Sequence, residues 1–474
     1  MVRTFKCNGL FFFYITLILL ILILIRNRIL DQEKDKSAQV YEQPNGKIIS
    51  EFGSQLRKNA QRNSNDKQPT KKNNDKSDER NSKPTNKSCH PLKSCCRKIF
   101  QNHQPSIDWA KNQQARVETD QEILDQLSDC SRFFDAQNFV WGPISTDKVE
   151  SEVNYPIAYS ILVHLDLVHL KKTLKSIYQP QNLYCIHVDR KSVNLKEKVQ
   201  KLTRCFPNVF LSQNSNINFW GGFGILNSTI DCLTQLVRYA NYSHNWDYFI
   251  NLSGQDMPLK TNLEMVEILK TWNGASNVEI LEETNTNRYE FQYRVKVNKF
   301  GNPDANERTN TLKEPPPLNL KVHKGNLAVI LSRDLSNWLV HSENVRLFLH
   351  WLEDTDIPDE HFFSTILANS QKFERKEAVG AKFYDPRIFR LTKPYVARYV
   401  TWKAKKNDRK SHCGGKFVRD VCVFGVKDLH RLAKVDHFFA NKFYANFEPM
   451  TYACLEEWLR SKRHKETLLI DRNE

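Results

Sequence analysis

None of the eleven cysteines stands in a Cys-x-x-Cys pair, which argues against a structural zinc site. No internal repeat runs along the 474 residues. The formal charge is +16, but its lysines and arginines are spread through the whole chain. With no recognition helix and no zinc-finger spacing, nucleic acid is not the expected partner; a solvated basic surface suits anionic ligands better. From about Asp31 to Lys87 aromatics and any sustained apolar period are almost absent. Such a segment buries too little surface to offset its ordering entropy and reads as a flexible stem.

What precedes the stem is an uncharged apolar run, Leu10 to Ile25, with Lys6 before it and Arg26 and Arg28 after it. As a helix it rises about 24 Å, enough to cross a bilayer if the flanking cations snorkel. A cleaved signal peptide is the alternative, but the run ends in Arg26-Asn27-Arg28 rather than in small residues. The expected organisation is a tail over 1–9, a transmembrane anchor over 10–25, a stem over 26–94 and a globular domain over 95–474. Asn86, Asn227 and Asn241 open Asn-x-Ser/Thr sequons and are glycan acceptors if the domain is lumenal. Asn251 fits the same pattern inside an apolar strand, where it is expected to be buried.

In the globular part, Ala158 to His164 (AYSILVH) reads as a buried strand and Leu167 to Tyr178 as an amphipathic helix. Leu183 to Val188 is another strand, ending in Asp189. A helix to Cys205, a strand at Asn208 to Leu211, a helix around Phe223 to Tyr239 and a strand at Trp246 to Leu252 follow. Strands alternating with helices predict an α/β fold with a mostly parallel sheet and ligands at the strands' carboxyl ends. Asp189 and the Ser253-Gly254-Gln255-Asp256 turn fall at two such ends. A lone Asp there is more often a cap than a ligand, but two at neighbouring ends favour a site.

Those segments carry a resemblance. AYSILVH at 158–164, IYQPQNLYCIHVDRKS at 177–192 and YFINLSGQDMPLKTNLE at 248–264 resemble the core-2/I-branching β-1,6-N-acetylglucosaminyltransferase family. So do IPDEHFF at 357–363, VRDVCVFGVKDL at 418–429 and FFANKF at 438–443. The likeness runs in order from about Cys95 to the C-terminus. It implies a GT-A-like fold, its parallel-rich sheet flanked by helices, and inverting, metal-independent transfer of GlcNAc from UDP-GlcNAc in β-1,6 linkage to a glycan acceptor. No cofactor is implied. It also implies a type II Golgi membrane protein with the C-terminal domain in the lumen. Implied disulfides are Cys185–Cys232, Cys130–Cys205 and Cys413–Cys422. Cys454 would pair with a cysteine at the domain's start, Cys95 or Cys96, with Cys95 the expected partner. Cys7 and Cys89 have no assigned partner, and Ser253 stands where the family has a cysteine.

By the same resemblance Glu360 of Pro358-Asp359-Glu360 is the general base, a role a carboxylate fills because it is ionised in a mildly acidic lumen. Read without the family, Asp359-Glu360 before an apolar helix is a cap with a first-turn acid. Arg419 and Lys442 map onto the cations that hold the donor's diphosphate in place of a metal. The expected donor strand ends with a single acid, Asp256, and Asp354-Thr355-Asp356 reads as a solvated loop. Leu162, Asp189, Arg190, Lys191 and Asp256 match donor-binding positions; Trp220, Glu279 and Trp402 are expected around the acceptor. The family's acceptor-side Lys and Arg lack clear counterparts in Asn285 to Tyr293, though Arg288 and Arg294 are near, and a family Tyr is Ala404 here. Transfer of xylose or glucose on the same scaffold, or a catalytically silent glycan-binding protein, are the rival readings.

Overall fold

The structure, a computed structural model, describes residues 92–113, 116–137, 139, 152–240, 245–373, 395–404 and 412–470. The expected anchor at 10–25 and nearly all of the stem lie outside the described residues. Among the described residues no helix is long and apolar enough to cross a membrane.

After helix α1 (Leu92–Phe100) and a short helical lead-in, the chain alternates strand and helix. The order is β1 (Ile157–Val163), α2 (Leu167–Ile177), β2 (Leu183–Val188), α3 (Val193–Thr203), β3 (Val209–Leu211), α4 (Phe223–Ala240) and β4 (Tyr248–Ser253). β5 (Asp256–Pro258), α5 (Asn262–Trp272) and β6 (Leu281–Glu282) lead to a hairpin, β7 (Phe291–Val297) and β8 (Pro303–Leu312). β9 (His323–Lys324), β10 (Ile330–Ser332), α6 (Arg333–His341), α7 (Glu343–Trp351) and α8 (Phe362–Ala368) follow. The chain closes with β11 (Arg398–Val400), β12 (Lys416–Val418), β13 (Val421–Val423), β14 (Phe439–Asn441) and the long α9 (Met450–Ile470).

The main sheet has the order β10-β4-β1-β2-β3, parallel except for β10. β1 and β2 are almost wholly buried and mostly apolar, Ser160 and His187 excepted, because parallel central strands are covered on both faces. Alternation sorts their side chains between two cores. Tyr159, Ile161, Tyr184, Ile186 and Ile250 join one, and Ala158, Leu183, Cys185 and Phe249 join the other with α4. Asp166 starts α2, its Oδ1 accepting from His169 N at 2.9 Å. A second sheet, β11-β14-β5, abuts the end of β4 through the Ser253–Asp256 turn.

Disulfides tie these layers together. Cys185 on β2 is bonded to Cys232 on α4, Cys130 to Cys205, and Cys413 to Cys422. Cys454 is bonded to Cys96, not Cys95, with Cα atoms 4.9 Å apart. Adjacent residues on a helix point about 100° apart, so only one of the two can face α9. Cys95 is itself disulfide-bonded.

Candidate active site

The parallel strands end together. Leu162 pairs with His187 on one side and Ser253 on the other. Just past β2, Asp189 N donates to Val163 O (3.0 Å), and Asp189 Oδ1 accepts from Lys191 N (2.9 Å). The acid therefore shapes its own turn while its Oδ2 lies 3.6 Å from Lys191 Nζ. Arg190 and Lys191 are exposed at this edge. His164, the residue after β1, marks where the elements meet. Loss of solvent lowers its pKa; the Asp189 charge opposes that, and those of Lys191 and Arg419 add to it.

Arg419 and Asp420 form the two-residue turn between β12 and β13, both at positive φ, 50° and 59°. Primed turns of this kind match the twist of a hairpin, at a strain cost for side chains other than Gly, Asn and Asp. The Cys413–Cys422 bond braces the hairpin, and Trp402, exposed, bridges to Val421 beside the turn. Lys442 follows β14, only 9% exposed, and its Nζ donates to Val418 O (3.0 Å). Burial lowers the Lys442 pKa, and the Arg419 charge lowers it further. Among the described residues no carboxylate forms an ion pair with either cation. Two cations held close together without an ion-paired carboxylate can attract an anion.

Asp256, expected to touch the donor, is instead wholly buried. Its Oδ2 pairs with Arg398 and accepts from Ser253 N (2.6 Å), and its Oδ1 accepts from Asn441 Nδ2 (2.8 Å). Both oxygens are thus committed inside the fold. The acid clamps the end of β4 to β14, the strand that delivers Lys442, so its bearing on the anion site is indirect.

Glu360 sits on a 3-10 turn, Pro358–Glu360, entered through Ile357 at φ 51°. Ile357 N donates to Gly221 O (3.0 Å), and Lys191 Nζ donates to Asn218 O, so the loop that carries Trp220 runs from the Asp189 turn to the Glu360 turn. Trp220 is 67% exposed between them, an aromatic face open to a ligand. Gly325 N donates to Glu360 O (2.6 Å), and a Cβ on Gly325 would stand 2.2 Å from Glu279 O, so only glycine fits there. Burial raises the Glu279 pKa, with Lys324 opposing and the Glu360 charge adding. Asp359 Oδ1 is buried without a partner, and burial, then the Glu360 charge, pushes this carboxyl up to about 7.

Sequence reasoning missed the groups that hold Glu360. Arg288 Nη1 donates to Glu360 Oε2 (2.6 Å), and Lys324 Nζ lies 3.6 Å from the same oxygen. Arg288 was visible only as a nearby basic residue, and Lys324, on β9, gave no signal. Of the expected glycan acceptors, Asn86 and Asn241 lie outside the described residues. Asn227 lies within α4, its amide donating to Asn216 Oδ1 (3.3 Å), and Thr229 of its sequon is fully buried. An amide so placed is poorly presented for a glycan, unlike a sequon on a surface loop. Asn251 is buried and holds Leu327 O and Val329 N.

Residues 157–433 match the sequence model of the family described as Core-2/I-Branching enzyme. A rat protein named beta-1,3-galactosyl-O-glycosyl-glycoprotein beta-1,6-N-acetylglucosaminyltransferase 3 is 31% identical over 352 residues, 73% of this chain and 76% of that protein. The human protein of the same name is 32% identical over 350 residues, with the same shares covered. A bovine herpesvirus 4 protein named beta-1,3-galactosyl-O-glycosyl-glycoprotein beta-1,6-N-acetylglucosaminyltransferase is 31% identical over 353 residues, again 73% of this chain and 76% of that protein.

Proposed function

The chain belongs to the core-2/I-branching enzyme family, and from that premise we propose that it transfers GlcNAc from UDP-GlcNAc, in β-1,6 linkage and with inversion, to a galactosyl O-glycan on a glycoprotein. The fold is read as GT-A-like, and the protein as a type II Golgi membrane protein anchored through residues 10–25. The observation that carries the reading is the pair Arg419 and Lys442, uncompensated by any described carboxylate at the carboxyl edge of a parallel sheet.

In this reading the diphosphate occupies that anion site, with the nucleoside toward Leu162 and the Asp189–Lys191 turn. The acceptor sugar lies against Trp220, near Glu279 and Trp402. Its 6-hydroxyl oxygen attacks the anomeric carbon of GlcNAc, the bond from that carbon to the UDP oxygen breaks, and UDP leaves with the electron pair. Glu360 takes the hydroxyl proton, and the two cations stabilise the charge gathering on the leaving phosphate. Metal independence is supported by the state of Asp256: the lone acid of the Ser253–Asp256 turn is already paired with Arg398.

The test is transfer by the full-length protein in membranes, with UDP-GlcNAc, UDP-xylose and UDP-glucose competing over a core-1 O-glycopeptide. A β-1,6-GlcNAc branch is the expected product. Xylose or glucose transfer would replace the donor assignment, and no transfer from any donor would sink the enzyme reading.

A further inference from the structure

A carboxylate takes a proton less readily while a cation is paired to it, and Glu360 Oε2 accepts from Arg288 Nη1 at 2.6 Å. That guanidinium has a second carboxylate in reach. Glu283 Oε2 lies 3.8 Å from the same Nη1, on a side chain only 2% exposed, and has no hydrogen-bond partner. Its other oxygen accepts from Asn285 N (2.7 Å), which fixes the carboxylate in place. A buried carboxylate oxygen left without a donor keeps its full desolvation cost.

The surroundings leave Arg288 as the group able to remove that cost. His361 Nδ1 is 3.6 Å from Glu283 Oε2 but lies closer to His323 O, at 3.2 Å. Burial lowers the His361 pKa, with the His323 carbonyl and then the Glu283 charge opposing, and its Nδ1 is directed at His323 O rather than at Glu283. Tyr289 also faces this acid, with its own pKa raised by burial and then by the Glu283 charge. Around Glu360 stand Arg288 and Lys324, with the carboxyls of Glu279 and Asp359 on either side and Asp356 beyond. The Arg288 backbone is held, its carbonyl accepting from Asp356 N (2.9 Å), so a move of the guanidinium is a side-chain move.

Resting on the glycosyltransferase reading, we propose that Glu283 is a positioning residue, the second station of Arg288. The guanidinium swings from Glu360 to Glu283 when the acceptor hydroxyl binds, and the base is unclamped at the moment it must take a proton. The two arrangements are closely balanced. With Arg288 on Glu360, the buried Glu283 oxygen lacks a donor; with Arg288 on Glu283, the more exposed Glu360 keeps Lys324 and solvent. A shift of about 1 Å separates them, small for a side chain that carries five N–H donors.

Glu283→Gln in the full-length protein tests this. The variant removes the charge that draws Arg288 away, so the turnover number should fall roughly tenfold or more. The acidic limb of kcat/KM should move to lower pH, because Glu360 loses a repelling neighbour and keeps Arg288 to itself. Glu283→Asp should move the limb part of the way back. A second readout needs no sugar transfer: carbon-13 carboxyl NMR of the ligand-free protein, with the Glu360 signal assigned by its loss in Glu360→Gln. There the Glu360 midpoint should fall by roughly half a unit or more in Glu283→Gln. An unmoved midpoint overturns the proposal, as does lost turnover with an unmoved acidic limb, which would make Glu283 merely structural. Wild-type protein that transfers no sugar would instead overturn the functional reading, while the NMR midpoint would still decide whether Glu283 acts on Glu360.

Discussion

Replacing Lys442 with Met separates the anion site from the stability of the fold. The substitution keeps the chain length and the apolar stem but removes the charge and the donation to Val418 O. Because the ammonium is buried beside Arg419 with no described carboxylate to balance it, its loss should leave the melting temperature unchanged or raise it. Activity should move the other way. At an effective dielectric of 20, a cation about 4 Å from a phosphate oxygen is worth about 4 kcal/mol. Water entering the vacated space recovers part of this, so a loss of roughly 3 kcal/mol of transition-state stabilisation, 100-fold or more in rate, is expected. Arg419→Ala should lose a comparable amount. Radiolabelled transfer, measured with excess EDTA and again with added manganese, supplies the assay. Wild-type activity should survive EDTA and gain little from manganese. Near-normal turnover in Lys442→Met, or EDTA inactivation rescued by manganese, would refute the assignment of these cations to the leaving diphosphate.

Three further outcomes follow from the same geometry. Glu360→Gln should cut turnover about 100-fold, or about 2.7 kcal/mol, with UDP affinity little changed by titration calorimetry; turnover within threefold of wild type removes Glu360 from the base role. Asp256→Ala strands Arg398 in the interior and should lower unfolding free energy by about 3–5 kcal/mol in urea; a loss of donor affinity without a loss of stability would return Asp256 to the donor site. Burial, with the Glu360 charge second, holds the Asp359 carboxyl near 7, whereas unfolded it ionises near 3.9. Between those values unfolding releases a proton, so wild-type stability falls as pH rises. Asp359→Asn should gain on wild type across that window by up to about 4 kcal/mol, and a difference constant with pH contradicts the buried carboxyl.

The strands and helices from β1 to β4 were legible because each is a local pattern: an apolar run with turn residues on both sides, or an apolar stripe at helical spacing. Their observed bounds differ from expectation by only a residue or two at most ends. The site was legible in part, through short motifs whose residues meet only in the fold. What sequence could not supply was the partner of each charged group. Asp189 and Asp256 look alike on paper, each an acid closing an apolar strand. Asp189, though also buried, bonds within its own turn beside Lys191 at the sheet edge. Asp256 meets Arg398, 142 positions along the chain, and is drawn inside. The same blindness hid Arg288 and Lys324 from Glu360, and it left Cys95 and Cys96 indistinguishable until α9 chose between them. Charge type and strand position thus find where chemistry can occur. Whether an acid is spent on the fold or left for a ligand depends on which distant cation the topology brings to it, and at Glu360 that cation stands within reach of two acids at once.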